Sequence, residues 1–206
     1  MFAVGHFALG YLTGKITANY LKVTINLPLL FFVSVFPDVD LLMPLWLQHR
    51  GPTHSIIFLS LIFIPFIIIY KKTALVYFVA ALQHTLIGDF LAGGAQILWP
   101  LSTNYFGIHI DPHAFVISVL ELTFFLVSLI VMFKTKDVLT LFKYSPASIL
   151  FSLLNIAVLL PGITGPYFNA PLLLIVPYII YLLLFSIPII TGLKATLKKL
   201  KTTKKT

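Results

Sequence analysis

The chain alternates between long apolar runs and short polar joints. The clear runs cover residues 53–70, 74–91, 114–133, 147–161 and 171–193, and two weaker ones cover 2–21 and 24–36. The clear runs approach the ~20 residues that a helix needs to cross the hydrocarbon core. In lipid the backbone must satisfy its own hydrogen bonds, so each run is expected to be helical. The pattern predicts an all-α, polytopic transmembrane helical bundle of about 5–7 membrane helices. Residues 1–193 would form one membrane-embedded domain, with 145–193 as anchoring helices and 194–206 as a basic cytoplasmic tail. No basic stretch precedes the first run, whose first lysine is Lys15, so 2–21 is expected to be a retained helix rather than a cleaved signal.

Composition supports a membrane protein. Of the 206 residues, 59% are hydrophobic and 10% are charged, against about 25% charged in a soluble domain. This excludes a soluble globular enzyme, a disordered chain and a disulfide-stapled module. There is no cysteine, so any metal site must use histidines and carboxylates.

The net charge of +8 has two readings, phosphate-binding patches or the cytoplasmic flanks of membrane spans. Position decides between them. On a zigzag of seven spans, Lys15 and Lys22, then Lys71 and Lys72, then Lys134, Lys136 and Lys143, then the lysines after 193 fall on alternate connections. By the positive-inside rule that side is the cytoplasm, which puts the C-terminus inside and the N-terminus outside. The 162–169 connection carries no charge, as an outer loop should. A nucleic-acid partner is not expected.

The opposite end holds different chemistry. All six histidines and five of the six acids lie on the non-lysine half or in the helices leading to it; Asp137 is the exception. Intramembrane ionisable groups are costly and usually functional. Asp38 and Asp40 flank Val39 after Pro37, where they could bind one metal each, bridge two cations, or cap the next segment. In His49-Arg50-Gly51-Pro52-Thr53-His54-Ser55, Gly-Pro marks a turn and Thr53 is the expected helix cap, with His54 in the first helical turn. Arg50, the one arginine, suits either bidentate phosphate recognition or an ion pair with Asp38 or Asp40. His84 and Asp89 are five apart, about 140° around an ideal α-helix. A bulge at Gly88 could bring them together, or they could pin two helices. Asp111-Pro112 reads as a cap and first helical residue, with His113 and Glu121 on one helix face. Glu121 would lie about 12 Å below the helix start as a deep ligand, a histidine orienter or a helix contact. His109 reads as an interfacial loop histidine.

Gly5-His6, Pro37-Asp38-Val39-Asp40, the 49–55 block, the 84–89 block (HTLIGD) and 98–102 (LWPLS) occur in the order found in the YdjM-type family of membrane-bound metal-dependent hydrolases, and the chain resembles that family over about residues 1–125. One departure stands out: the family pattern resembles H-x-x-x-D, whereas His84 and Asp89 have one more residue between them. The resemblance implies a hydrolase with divalent metals, distantly similar to the zinc-dependent phospholipase C and P1 nuclease group. It implies His6, Asp38, Asp40, His54, His84 and Asp89 as metal ligands.

The resulting expectation is an integral-membrane phosphoesterase holding two or three divalent ions, most simply Zn²⁺, and acting on a lipid or lipid-linked substrate at the membrane surface. Such ions lower the pKa of a water to about 7. Arg50 would hold a phosphate oxygen, and His49 or His113 would protonate the leaving group. Glu121 and Asp111 would support the ligands. The rival readings are a metal- or proton-linked transporter and a non-catalytic membrane protein with a structural His/Asp cluster.

Overall fold

The computed structural model describes residues 1–42, 46–164 and 170–203. Most of the 162–169 connection, Lys204 and Lys205 fall outside these residues, as do the side chains of Lys199 and Lys201. The described residues form seven α-helices: α1 (Ala3–Leu21), α2 (Leu27–Ser34), α3 (Ile56–Tyr70), α4 (Lys72–Gln83), α5 (Phe115–Lys134), α6 (Pro146–Thr164) and α7 (Ile175–Thr203). A π-helical segment, His84–Asp89, continues α4, and 3₁₀ turns cover Phe36–Leu42, Pro52–His54, Asp137–Phe142 and Leu172–Leu174. The only described β pairing is an isolated bridge between Ala95 and Phe106.

The all-helical expectation holds, but the count of membrane helices does not. Among the described residues, three helices are long and apolar enough to cross a membrane: Phe115–Lys134, Pro146–Ile163 and Leu172–Lys198. The others fall short for identifiable reasons. Pro52 and the Ser55 cap cut into the 53–70 run, leaving α3 with 15 residues, about 22 Å of helix against a core of about 30 Å. The 74–91 run is divided between α4 and the π segment, and α2 has 8 residues. The 19 residues of α1 include His6, Lys15, Asn19 and three glycines, which dilute its hydropathy.

Helix α1 is the hub, packing against α4, α5 and α2. A Cβ at Gly10 would stand 2.1 Å from the Cβ of Ser34, and one at Gly14 would stand 2.7 Å from Leu30. These two glycines, one turn apart, therefore permit the close approach of α1 and α2. Beside them lies an aromatic core of Phe7, Phe31, Tyr181 and Phe185, with edge-to-face centroid separations of 5.3–5.6 Å, within the favourable range for aromatic pairs. Tyr181 and Phe185 belong to α7, so the last helix is built into the same core as the first two.

The ends of α1 and α5 separate two kinds of chemistry. Near the start of α1, Glu121 of α5 accepts hydrogen bonds from the N–H groups of Phe2 (2.9 Å) and Gly5 (3.0 Å). A carboxylate there accepts from N–H donors at the helix start and complements the helix dipole. Further along α1, Lys15 contacts both carboxylate oxygens of Asp137 at 2.7 and 2.9 Å, and Tyr11 donates to the same carboxylate at 2.8 Å. These bonds fix α1 to α5 at one level and to the turn that follows α5 at another, which places His6.

Candidate metal centre

Four segments converge near the start of α1. The 3₁₀ turn Phe36–Leu42 delivers Asp38 and Asp40, the turn Pro52–His54 delivers His54, α1 delivers His6, and the π segment delivers His84 and Asp89. The expected helix cap is displaced by two residues: Ser55, not Thr53, caps α3, accepting from the N–H groups of Ile57 and Phe58. His54 therefore lies before the helix, where its ring turns inward.

The one-residue excess between His84 and Asp89 is absorbed by the π-helix. In an i→i+5 helix, residues five apart lie nearly over one another, which an α-helix does not allow. His84 Nε2 consequently stands 3.4 Å from Asp89 Oδ2. Gly88 makes room within this segment, since a Cβ there would lie 2.3 Å from His6 Cε1.

Two imidazole nitrogens and two carboxylate oxygens form a ring of close contacts. His54 Nε2 lies 3.4 Å from Asp38 Oδ1 and 3.2 Å from Asp89 Oδ2; His84 Nε2 lies 3.3 Å from Asp38 Oδ1 and 3.4 Å from Asp89 Oδ2. Tetrahedral ligands about 2.0–2.1 Å from one ion stand about 3.3–3.4 Å apart. Among the described residues, His54 Nε2, His84 Nε2 and Asp89 Oδ2 are buried and make no hydrogen bond. Buried polar atoms are normally paired, so three unpaired ones clustered together suit a cation better than a hydrogen-bond network. The buried His/Asp groups could hold a metal ion.

Other expected ligands take different places. Asp40 forms a further grouping with His49 and His54 that could hold an ion; it also accepts from the Arg50 backbone N–H (3.0 Å) and the Thr53 hydroxyl (3.2 Å), and contacts His49 Nδ1 (3.2 Å). It also lies 3.3 Å from His54 Nδ1. This is the carboxylate–histidine arrangement that orients a metal-binding imidazole, so Asp40 supports His54 from behind. His84 is held the same way, with Nδ1 2.9 Å from the Ser34 carbonyl oxygen. His6 stacks on His84 at 3.6 Å with an 11° interplanar angle, and its Nε2 lies 3.9 Å from Asp89 Oδ1. Together with His84 and Asp89 it forms a second grouping on the far side of the Asp89 carboxylate.

The electrostatics follow from this crowding. Burial favours a neutral Asp38, but the neighbouring His84 and His54 imidazoles outweigh it, holding the carboxyl well below its ordinary range. Burial opposes ionisation of Asp40 too, and hydrogen bonds from His49 and His54 again prevail, keeping it ionised. Burial disfavours the His54 imidazolium, yet the Asp38, Asp40 and Asp89 carboxylates around it raise it to about 10. The pocket is thus built to hold positive charge.

Arg50 departs from both expected pairings. Its guanidinium Nε lies 3.5 Å from Asp89 Oδ1, and neither Asp38 nor Asp40 is its side-chain partner. It packs on Gly93, whose φ of +98° and missing Cβ admit the guanidinium. His49 lines the same cavity and is 40% exposed. His113 also lines it, but stands outside the cluster, 57% exposed beside Asp111 at 3.5 Å. Asp111 is 72% exposed and bonds the His113 N–H, so it supports no member of the cluster. Helix α5 begins at Phe115 after an Ala114 cap, so Asp111 and Pro112 do not start it and His113 shares no helix face with Glu121. Glu121 positions α1 rather than a histidine. His109 is a loop residue with Nδ1 3.1 Å from the Gly93 carbonyl oxygen.

Three contributors escaped the sequence reading of the site. Thr53 links Asp40 to His54, the Ser34 carbonyl orients His84, and Gly93 seats Arg50. The Gly93-Gly94 pair is the one visible signal; a backbone carbonyl has none.

Fold and site together define a helical membrane protein with a buried His/Asp cluster able to hold metal. The chain matches the model of the YdjM inner membrane protein family over residues 1–161, and it belongs to that family. The match runs through most of α6, beyond the 1–125 region that carries the motifs. No curated protein and no solved structure matches the chain.

Proposed function

We propose that this protein is a metal-dependent hydrolase of phosphoester bonds in a lipid or lipid-linked substrate, with its centre at the non-cytoplasmic membrane surface. The observation that carries this reading is the convergence of His54, His84, Asp38 and Asp89 beside a cavity lined by Arg50. Two imidazoles and two carboxylates suit Zn²⁺. His6 and Asp89 Oδ1 offer the beginnings of a second position. A bound divalent ion supplies Lewis acidity and a water acidic enough to be a nucleophile at neutral pH.

The chain's own residues do the rest. Asp40 and the Ser34 carbonyl hold the two imidazole rings in orientation, and burial of the cluster excludes bulk water. Arg50 presents N–H donors to a phosphate oxygen and offsets its charge. His49, at the cavity rim and hydrogen-bonded to Asp40, delivers a proton to the leaving oxygen. The lysine-bearing ends of the helices lie away from this cluster, which supports a centre at the outer surface with the C-terminus inside.

The test is elemental analysis of the purified protein, paired with phosphate release from phosphatidic acid in detergent. Wild type should carry a stoichiometric divalent metal and release phosphate, and His54→Ala and Asp38→Asn should lose both. A fully metallated wild type inactive on lipid and soluble phosphoesters alike would reject the hydrolase reading.

A further inference from the structure

The candidate centre opens into a cavity of about 490 Å³, a size typical of small-molecule sites. Its two ends differ in chemistry. One end presents Asp38, Arg50 and Asp89, with His49 and His113 at the rim. The other is walled by Phe32, Val35 and Phe36 from α2 and the turn after it, by Leu154, Ala157 and Val158 from α6, and by Tyr178 of α7. Leu154, Ala157, Val158 and Pro161 recur at helical spacing, so one face of α6 forms this wall. Because α6 is apolar and long enough to span a membrane, the wall reaches into the bilayer. Leu41 and Leu154 line the cavity and are also 37% and 36% exposed, which marks a lateral mouth between the Phe36–Leu42 turn and α6.

A small polar phosphoester would occupy only the ionisable end and leave this apolar wall to water, an unfavourable arrangement. An amphiphile satisfies both ends at once. We infer that the apolar arm of the cavity holds one acyl chain of a phosphate-bearing membrane lipid, whose head group lies at Arg50 and the His/Asp cluster. Two observations select this occupant. The cavity is continuous from the apolar wall to the ionisable end, and the cation facing it is the only arginine of the chain, 16% exposed and suited to phosphate. The mouth lies beside α6, a helix long and apolar enough to cross a membrane, which gives a lipid a lateral route into the cavity. The inference rests on the hydrolase reading only for what happens to the head group.

Photo-crosslinking tests it without turnover. Phosphatidic acid carrying a diazirine in one acyl chain is photolysed with the purified full chain in detergent, and the adducts are mapped by peptide mass spectrometry. Adducts are expected on residues 32–36 and 154–161. Ala157→Trp fills the arm from its exposed side and should reduce those adducts by about tenfold, a loss of ~1.4 kcal/mol in binding. Adducts on the exposed apolar surface of α3, at Leu61, Ile64 and Ile68, should persist. Val158→Phe provides a milder filling variant should Ala157→Trp not fold. Adducts confined to outward surfaces, or cavity adducts undiminished in the folded filling variants, would overturn the inference. Cavity labelling without phosphate release sinks the hydrolase reading and leaves the acyl arm standing. Release from a water-soluble phosphoester with no cavity labelling does the reverse.

Discussion

Asp38 and Asp40 are separated by one residue, yet the structure assigns them different work, and the substitutions Asp38→Asn and Asp40→Asn should separate them. Asp38 Oδ1 faces both His54 Nε2 and His84 Nε2, whereas Asp40 reaches the cluster only through His54 Nδ1, at 3.3 Å. An asparagine at position 40 can keep its amide oxygen on the Arg50 N–H and Thr53 hydroxyl and turn its NH₂ toward His49, so the local fold survives. What it loses is the negative charge behind His54, which makes that imidazole a weaker donor. Losses of such supporting partners cost about 10–100-fold in metal affinity, or ~1.4–2.7 kcal/mol. Asp40→Asn should therefore still bind one equivalent of Zn²⁺, with a dissociation constant raised by about that factor. Asp38→Asn removes one of four converging donors and should lose stoichiometric metal altogether. Competition against a chromophoric chelator, on protein stripped and reloaded in detergent, measures both. If Asp40→Asn emptied the site while Asp38→Asn kept wild-type affinity, the assignment of the converging four atoms would be wrong.

Three further outcomes follow from the geometry. His54, raised to about 10, is an imidazolium in the metal-free protein, so the ion must displace its proton. Binding near about pH 7.5 should release roughly one proton and strengthen as pH rises; calorimetric heats independent of buffer protonation enthalpy would contradict this. Gly88→Ala places a Cβ against the His6 ring and should cost about 1–3 kcal/mol of stability. Adding His6→Ala makes room for it, so the double variant should melt above the sum of the two single losses, whereas strict additivity would mean the contact is not the cause. Asp137 lies outside the membrane helices; burial disfavours its charge, but its bonds to Lys15, Thr135 and Tyr11 prevail and lower its pKa. A depressed folded value means its stabilisation is complete above the unfolded pKa near ~3.9 and disappears as pH falls through the folded one. The melting-temperature gap between wild type and Asp137→Asn should thus be present at neutral pH and close in acid.

The apolar runs alone determined that the chain is helical and membrane-embedded, because a backbone in lipid has few other ways to satisfy its hydrogen bonds. They overstated the number of crossings. Run length measures hydrophobicity, while Pro52, Ser55 and the change from α to π after Gln83 decide how much of a run becomes one straight helix. Residue type and spacing likewise exposed the ionisable cluster, since histidines and carboxylates in such an apolar chain have few bland explanations. Spacing could not tell Asp38 from Asp40, because that difference lies in which neighbours saturate each carboxylate. The π-helix is the clearest case. His84 and Asp89 stand on different faces of any α-helix, and only packing against α1, with His6 seated over Gly88, brings them to a single point. The cavity is a still more distant consequence, formed by α2 together with α6 and α7, which lie more than a hundred residues further along the chain.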